Sequence, residues 1–132
     1  MAVPAGGPSQ NAAPAPSGLA RHRVNLGGRG EDLAAAWYEG HGYQVLERNW
    51  RCAAGELDVV ARRGRTTVFC EVKTRTSAAF GAPAEAVTPA KQARVRRLAA
   101  RWLASVGRRP GLVRFDVASV LDGQLQIIEA AF

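Results

Sequence analysis

Asp58, Glu71 and Lys73 are the residues of this 132-residue chain whose types and spacing are suited to chemistry. Two carboxylates and an ammonium on neighbouring strands offer oxygen ligands for a hard divalent cation with a positive group beside it. Mg²⁺ prefers one or two carboxylates, completed by waters and substrate phosphate. Clustering acids without a cation is unfavourable, because like charges on adjacent strand positions repel. The same pattern also suits a solvated sheet face whose acids pair with arginines, and spacing alone leaves that alternative open.

The strands that position these residues read as a hairpin. Glu56–Arg62 and Arg65–Thr74 are rich in Val, Thr and Phe, with Arg63-Gly64 as a tight turn between them. Arg62 then opposes Arg65, Glu56 opposes Glu71, and Asp58 opposes Phe69. Side chains alternate between faces along a strand. Glu56, Asp58, Glu71 and Lys73 therefore emerge on one side, with Leu57, Val59, Ala61, Val68, Cys70 and Val72 forming an apolar face on the other. Asp58 and Glu71 become diagonal neighbours, about 7–8 Å apart at Cα. Two carboxylates converging from that distance can share one cation.

Around the hairpin, Arg29–Glu39 reads as a helix stopped by Gly40 and Gly42. Tyr43–Trp50 reads as a strand. Thr88-Pro89 supplies an N-cap followed by proline at the first helical position, opening a helix that runs to Val106. Leu112–Leu121 and Gln124–Ile128 read as strands joined by the turn Asp122-Gly123. Helix, three strands, helix, two strands is the order of an α/β domain around a mixed sheet. It occupies residues 21–132. Residues 1–20 hold four of the seven prolines, three glycines and no ionisable side chain, and read as a disordered tail.

Composition narrows the classes. Hydrophobic residues make up 47% and charged ones 22%, the mixture of a soluble globular chain. No apolar run approaches the ~18 residues of a membrane span, so no membrane partner is expected. The N-terminus lacks the pattern of a secretory signal. Two cysteines make neither a disulfide framework nor a four-ligand zinc site. Cys52 and Cys70 are read as free thiols, and the expected location is the cytoplasm.

The hairpin stretches Gly55-Glu56-Leu57-Asp58-Val59-Val60 and Phe69-Cys70-Glu71-Val72-Lys73-Thr74-Arg75 resemble the Asp…Glu-x-Lys core of restriction-endonuclease-like nucleases. With Gly27–Ala34, Arg48-Asn49-Trp50-Arg51 and Phe80–Val87, the chain from Arg21 to Phe132 more closely resembles the small, uncharacterised bacterial YraN-like family. That family is similar in fold to archaeal Holliday-junction resolvases. The resemblance implies a restriction-endonuclease-like α/β fold, a central mixed β-sheet flanked by helices. It implies Asp58 and Glu71 as ligands of Mg²⁺ or Mn²⁺, with the Val72 carbonyl completing the protein side. Lys73 would orient the attacking water or stabilise charge on the phosphate. Glu31 matches the helix carboxylate that such resolvases add to the site; an acid in a first helical turn also simply stabilises the helix dipole.

A second feature lies outside the hairpin. The chain carries a net charge of +7, and Pro89–Arg109 holds Lys91, Arg94, Arg96, Arg97, Arg101, Arg108 and Arg109 with no acid. At 100° per residue, Val95, Leu98, Ala99, Trp102, Leu103 and Val106 form a buried arc, with Arg94, Arg97, Arg101 and Arg108 opposite. Such a stripe suits phosphate tracking without base-specific reading. Lys91 lies off the stripe, toward the hairpin. The expected function is a metal-dependent endonuclease or nuclease-like protein acting on DNA, branched DNA included. The alternative is a non-catalytic nucleic-acid-binding accessory protein with a degenerate site. A homodimer is left open.

Overall fold

Two runs rich in β-branched residues, Thr66–Arg75 and Leu112–Leu121, pair in parallel along their whole length, from Thr66 opposite Leu112 to Arg75 opposite Leu121. Parallel neighbours need a crossover connection, and Pro89–Val106 supplies a helix for it. A computed structural model of the chain describes residues 18–75, 87–107, 109 and 111–132. Its elements are α1 (Gly18–Gly40), β1 (Gln44–Cys52), β2 (Gly55–Arg63), β3 (Thr66–Arg75), α2 (Pro89–Val106), β4 (Leu112–Leu121) and β5 (Gln124–Ile128). The five strands form one sheet in sequence order, antiparallel except between β3 and β4.

Each face of the sheet carries one helix, giving three layers. On the α1 side Ala34, Tyr38 and Tyr43 pack with Val59, Ala61, Val68, Cys70 and Ala118. On the α2 side Val95, Leu98, Ala99 and Trp102 pack with Leu57, Val60, Phe69 and Phe115. Helix α2 starts and stops as its sequence dictates: Thr88 Oγ1 accepts the Lys91 N–H at 3.2 Å, and Gly107 ends it in the left-handed region at φ 66°. Asp122 and Gly123 make the β4–β5 turn with φ of 50° and 78°, the conformation that Asp-Gly tolerates. Among the described residues no helix is long and apolar enough to cross a membrane, and Cys52 and Cys70 are free thiols.

Four expectations need correction. The hairpin turn is Gly64-Arg65 rather than Arg63-Gly64, so Arg63 opposes Thr66, Arg62 opposes Thr67 and Val60 opposes Phe69. Gly64 takes the first central position at φ 59°, which costs glycine nothing. Leu57 packs on the α2 side while Val59 packs on the α1 side, so β2 does not keep one alternation throughout. Val106 is 42% exposed and lies outside the buried arc of α2. Helix α1 begins at Gly18, well before Arg29, and runs through Gly27, Gly28 and Gly30, each of which costs a helix interior about 1 kcal/mol. Residues 1–17 of the expected tail and the Phe80–Ala86 motif lie outside the described residues.

Gly30 sets how closely α1 approaches the sheet. A Cβ there would lie 2.6 Å from Thr74 Oγ1 and 3.0 Å from Val72 Cγ1. Gly30→Ala is therefore expected to lower stability by about 1–3 kcal/mol, the usual range for overpacking. Thermal denaturation checks this; an unchanged melting temperature would mean that α1 shifts freely on β3.

Candidate functional site

The β2–β3 ladder ends at Val59 opposite Cys70. Beyond it, the Val72 N–H donates to Asp58 Oδ2 at 2.8 Å, so a side chain takes the place of a strand partner. In extended backbone one residue's N–H and C=O point to the same edge. The Val72 carbonyl is thereby directed to the Asp58 side, the side on which the family resemblance would use it. On β1, Arg48 opposes Val59 and Trp50 opposes Leu57. Between them Asn49 turns to φ 54°, a value that asparagine tolerates better than most residues. The alternation of both strands skips at this level, and Asp58 sits at the seam where β2 leaves β3. Glu71 and Lys73 flank Val72, which packs on the α1 side, so both point toward the α2 side. The structure thus gathers Asp58, Glu71 and Lys73, though at a seam rather than on one flat face.

Electrostatics make this the most perturbed acidic point of the described chain. Burial pushes the Asp58 carboxyl up to about 7; the Val72 N–H opposes this, while Glu71, Glu31 and Glu56 add to it. Burial also raises Glu31, against a hydrogen bond from Asn49, with Glu56 adding to the rise and Arg48 opposing it. Glu31 from α1 therefore belongs to the same cluster. Lys73 Nζ lies 3.2 Å from Glu71 Oε2. Burial disfavours the Lys73 charge, yet the Glu71 and Asp58 carboxylates hold its proton affinity above the ordinary lysine value. Arg51 pairs with Glu56 at 3.2 Å, and Arg48 pairs with Asp32.

Hard oxygen donors around a half-buried, proton-hungry carboxylate fit Mg²⁺ or Mn²⁺ held by Asp58, Glu71 and the Val72 carbonyl, with water for the remainder. Among the described residues no group of three or more His, Cys, Asp or Glu side chains is close enough to hold a metal by itself. The protein side of such a site is accordingly sparse.

Helix α2 flanks the seam. Arg94, Arg97 and Arg101 are all exposed along it. The Arg94 stem passes close to the start of β2, 3.8 Å from where a Gly55 Cβ would stand. Arg96 instead lies over the Phe115 and Phe132 rings, at 4.7 and 5.4 Å, and serves packing. Lys91 approaches Lys73, which is the main cause lowering the Lys91 proton affinity. Arg108 lies outside the described residues.

Two features escaped the sequence reading. Asn49 stands beside Glu31 and favours its charged form; the sequence showed it only as part of the Arg48-Asn49-Trp50-Arg51 motif. Asp116 is fully buried in β4 and accepts hydrogen bonds from Tyr38 Oη at 2.6 Å, Arg114 Nε and Nη2 at 2.9 Å each, and the Ala130 N–H at 3.0 Å. An acid amid the apolar residues of a central strand, two positions from Arg114, was the sign that it must be paired.

A three-layer α/β/α domain with an Asp…Glu-x-Lys seam defines the restriction-endonuclease-like class of fold. Within it, the chain belongs to the uncharacterised protein family UPF0102, whose profile matches residues 30–120; this is the family the sequence motifs resemble under the name YraN-like. A UPF0102 protein of Beutenbergia cavernae is 59% identical over 101 residues, spanning 76% of this chain and 86% of its own length. One from Leifsonia xyli is 53% identical over 97 residues, 74% of this chain and 82% of its own. One from Geobacter metallireducens is 47% identical over 112 residues, 84% of this chain and 92% of its own.

Proposed function

We propose that this chain is a metal-dependent nuclease that hydrolyses phosphodiester bonds in DNA, with branched DNA among its substrates. The observation that carries this reading is Asp58: a carboxylate held at about 7 by burial, beside Glu71, Glu31 and Glu56, and tied to the Val72 backbone. Bound Mg²⁺ or Mn²⁺ would supply charge neutralisation on the phosphate and an activated water. Asp58, Glu71 and the Val72 carbonyl would hold it. Lys73, fixed beside Glu71 at 3.2 Å, would orient water or offset charge on the phosphate. Glu31 would complete the acidic rim from α1. Arg94, Arg97 and Arg101 would track neighbouring phosphates along α2.

One observation favours a second reading, a nucleic-acid-binding accessory protein without catalysis. Glu71 is already engaged by Lys73, and the described residues provide no cluster of three ligating side chains. A cleavage screen over duplex, single-stranded, flap and four-way DNA and over RNA, with Mg²⁺ or Mn²⁺, separates the two. Cleavage of a DNA substrate by wild type and its loss in Asp58→Ala and Lys73→Ala supports the nuclease. Cleavage that survives Asp58→Ala overturns the assignment of this site. DNA binding with no cleavage by wild type supports the second reading.

The arginine stripe makes its own prediction. Replacing Arg94, Arg97 and Arg101 with alanine is expected to weaken binding alike for all sequences, since phosphate contacts carry no sequence information. If each contacts one phosphate, the slope of log affinity against log salt flattens by about 2.7 on duplex DNA, about 0.9 per contact. Fluorescence anisotropy across a salt series reads both; an unchanged slope would leave the stripe as a solvated face.

A further inference from the structure

Arg62 and Arg65 stand either side of Gly64 at the tip of the β2–β3 hairpin, the end of these strands away from Asp58. Arg62 Nε donates to the Gly64 carbonyl at 2.9 Å, which holds its guanidinium at the turn. The Arg65 carbonyl accepts the Leu112 N–H at 2.9 Å. A Cβ on Gly111 would lie 2.5 Å from that carbonyl, and Gly111 takes φ 61°, so glycine is what lets the α2–β4 connection close on the turn. Arg65 is nevertheless exposed. An exposed cation on an anchored backbone is preorganised for an anion from outside.

Val60 and Phe69 pack on the α2 side. Alternation then brings Arg62 out on that side, while Arg63 turns to the other, its guanidinium 4.3 Å from the centre of the Tyr43 ring. Helix α2 lies along this face in the opposite sense to β3. Its Arg94 stem and Leu98 stand over Gly55, Trp102 meets Phe69, and the connection beyond its end reaches the hairpin turn. Arg94, Arg97 and Arg101 therefore lead from the seam toward Arg62 and Arg65. Exposed Arg109 stands two residues before Gly111, at the same end. Among the described residues, ion pairs take up Arg48, Arg51, Lys73 and Arg114 and none of the arginines on this line. Glu47 faces α2 from β1 but is engaged by Trp102 Nε1 at 3.1 Å. Solvated faces usually mix signs, whereas a line of one sign from one end of a sheet to the other is the footprint of a polyanion.

We propose that the hairpin tip is the far end of a track for one DNA duplex arm, where Arg62 and Arg65 hold backbone phosphates several base pairs from the phosphate at the seam. This rests on the nucleic-acid reading above and adds to it a defined reach. Arg62 lies four residues along β2 from Asp58, and Arg65 lies six along β3 from Glu71. At the rise of a strand those separations are about 13 and 20 Å. Each strand of a duplex carries one phosphate per 3.4 Å of axis, so the tip meets phosphates about four to six base pairs from the seam. A shorter arm forfeits these two contacts.

The test varies the length of the arm. Two DNA stems, of about four and about twelve base pairs, are each closed by an uncharged ethylene-glycol linker so that only the stem supplies phosphates. Fluorescence anisotropy in EDTA across a salt series compares the full chain with Arg62→Ala/Arg65→Ala. On the long stem the alanine pair is expected to raise Kd about tenfold, the worth of two exposed ionic contacts together. It should also flatten the slope of log affinity against log salt by about 1.8. On the short stem neither quantity should move. Arg62→Lys/Arg65→Lys keeps both charges and should keep the long-stem slope. A lysine pair as flat as the alanine pair would trace the loss to packing and overturn the track. An unchanged long-stem slope in the alanine pair also overturns it and leaves the nucleic-acid reading standing, as does an equal loss on both stems. If wild type binds neither stem, the nucleic-acid reading fails and the track fails with it.

Discussion

Asp58→Asn is expected to abolish metal-dependent cleavage and, in metal-free buffer above pH 7, to make the protein more stable than wild type. The first effect follows from removing an anionic ligand at the seam, with a loss of about a thousandfold or more. The second follows from burial. The Asp58 carboxyl is pushed up to about 7 in the folded chain, against an ordinary value of 3.8. Between those values the native state keeps a proton that the unfolded chain releases, so stability falls as pH rises through that window. Each tenfold change in proton affinity is worth about 1.36 kcal/mol. Water and neighbouring cations screen a partly exposed carboxylate, and about 2 kcal/mol is a reasonable share. Asparagine keeps an oxygen for the Val72 N–H and removes the charge. The variant should therefore melt higher than wild type at pH 8, with the gain vanishing near pH 4. Adding Mg²⁺ at pH 8 should then raise the melting temperature of wild type and not of the variant, because a ligand stabilises only the state that binds it. A variant less stable at pH 8 would mean that the Val72 hydrogen bond to a charged carboxylate outweighs burial.

That seam also shows where sequence reasoning succeeds and where it stops. Local rules with one strong solution were legible. Thr88-Pro89 and Gly107 bound α2 as capping chemistry requires, and Asp122-Gly123 turns where a two-residue turn must. The hairpin failed by one residue, because Gly64 can stand first or second in a two-residue turn and the flanking arginines distinguish neither. Its consequence for the site was limited: sliding the turn moved the pairing, while Asp58, Glu71 and Lys73 remained neighbours. What periodicity could not supply was the break at Asp58. Strict alternation assumes a continuous ladder, whereas here a carboxylate replaces the backbone partner of Val72 at 2.8 Å and Asn49 bends β1 at the same level. Glu31 was within reach of the motif resemblance; the effect of Asn49 on its charge was not, because it joins helix to strand between residues far apart in sequence. Gly30 belongs to the same category, a close approach of α1 to Thr74 that sequence shows only as one glycine among several.

Asp116→Ala is expected to bring the protein close to unfolding, with a loss of about 3–5 kcal/mol against the 5–15 kcal/mol that holds a typical domain together. The carboxylate is fully buried and accepts from Tyr38, twice from Arg114 and from the Ala130 N–H. Truncation strands all of these at once. Arg114 retains a hydrogen bond to Tyr43 Oη at 3.0 Å and a long contact to Glu129 at 3.8 Å, too little to replace a bidentate partner. Tyr38 lies fully buried on α1 and loses the acceptor that ties this helix to β4. Urea denaturation should show the midpoint falling with little change in slope, the mark of lost stability rather than altered compactness. The double variant Arg114→Met/Asp116→Leu removes both charges and fills the space, and should recover much of the loss, since buried ion pairs exchange for apolar contacts at small net cost. Asp116 faces Cys70 across the β3–β4 ladder, one residue from Glu71. The network thus ties β4, the parallel neighbour of the strand that presents Glu71 and Lys73, to the helix that presents Glu31, and does so from the side away from α2. Wild-type stability in Asp116→Ala would mean that packing alone holds α1 in register. The convergence of Glu31 with Asp58 would then depend on the close contact at Gly30.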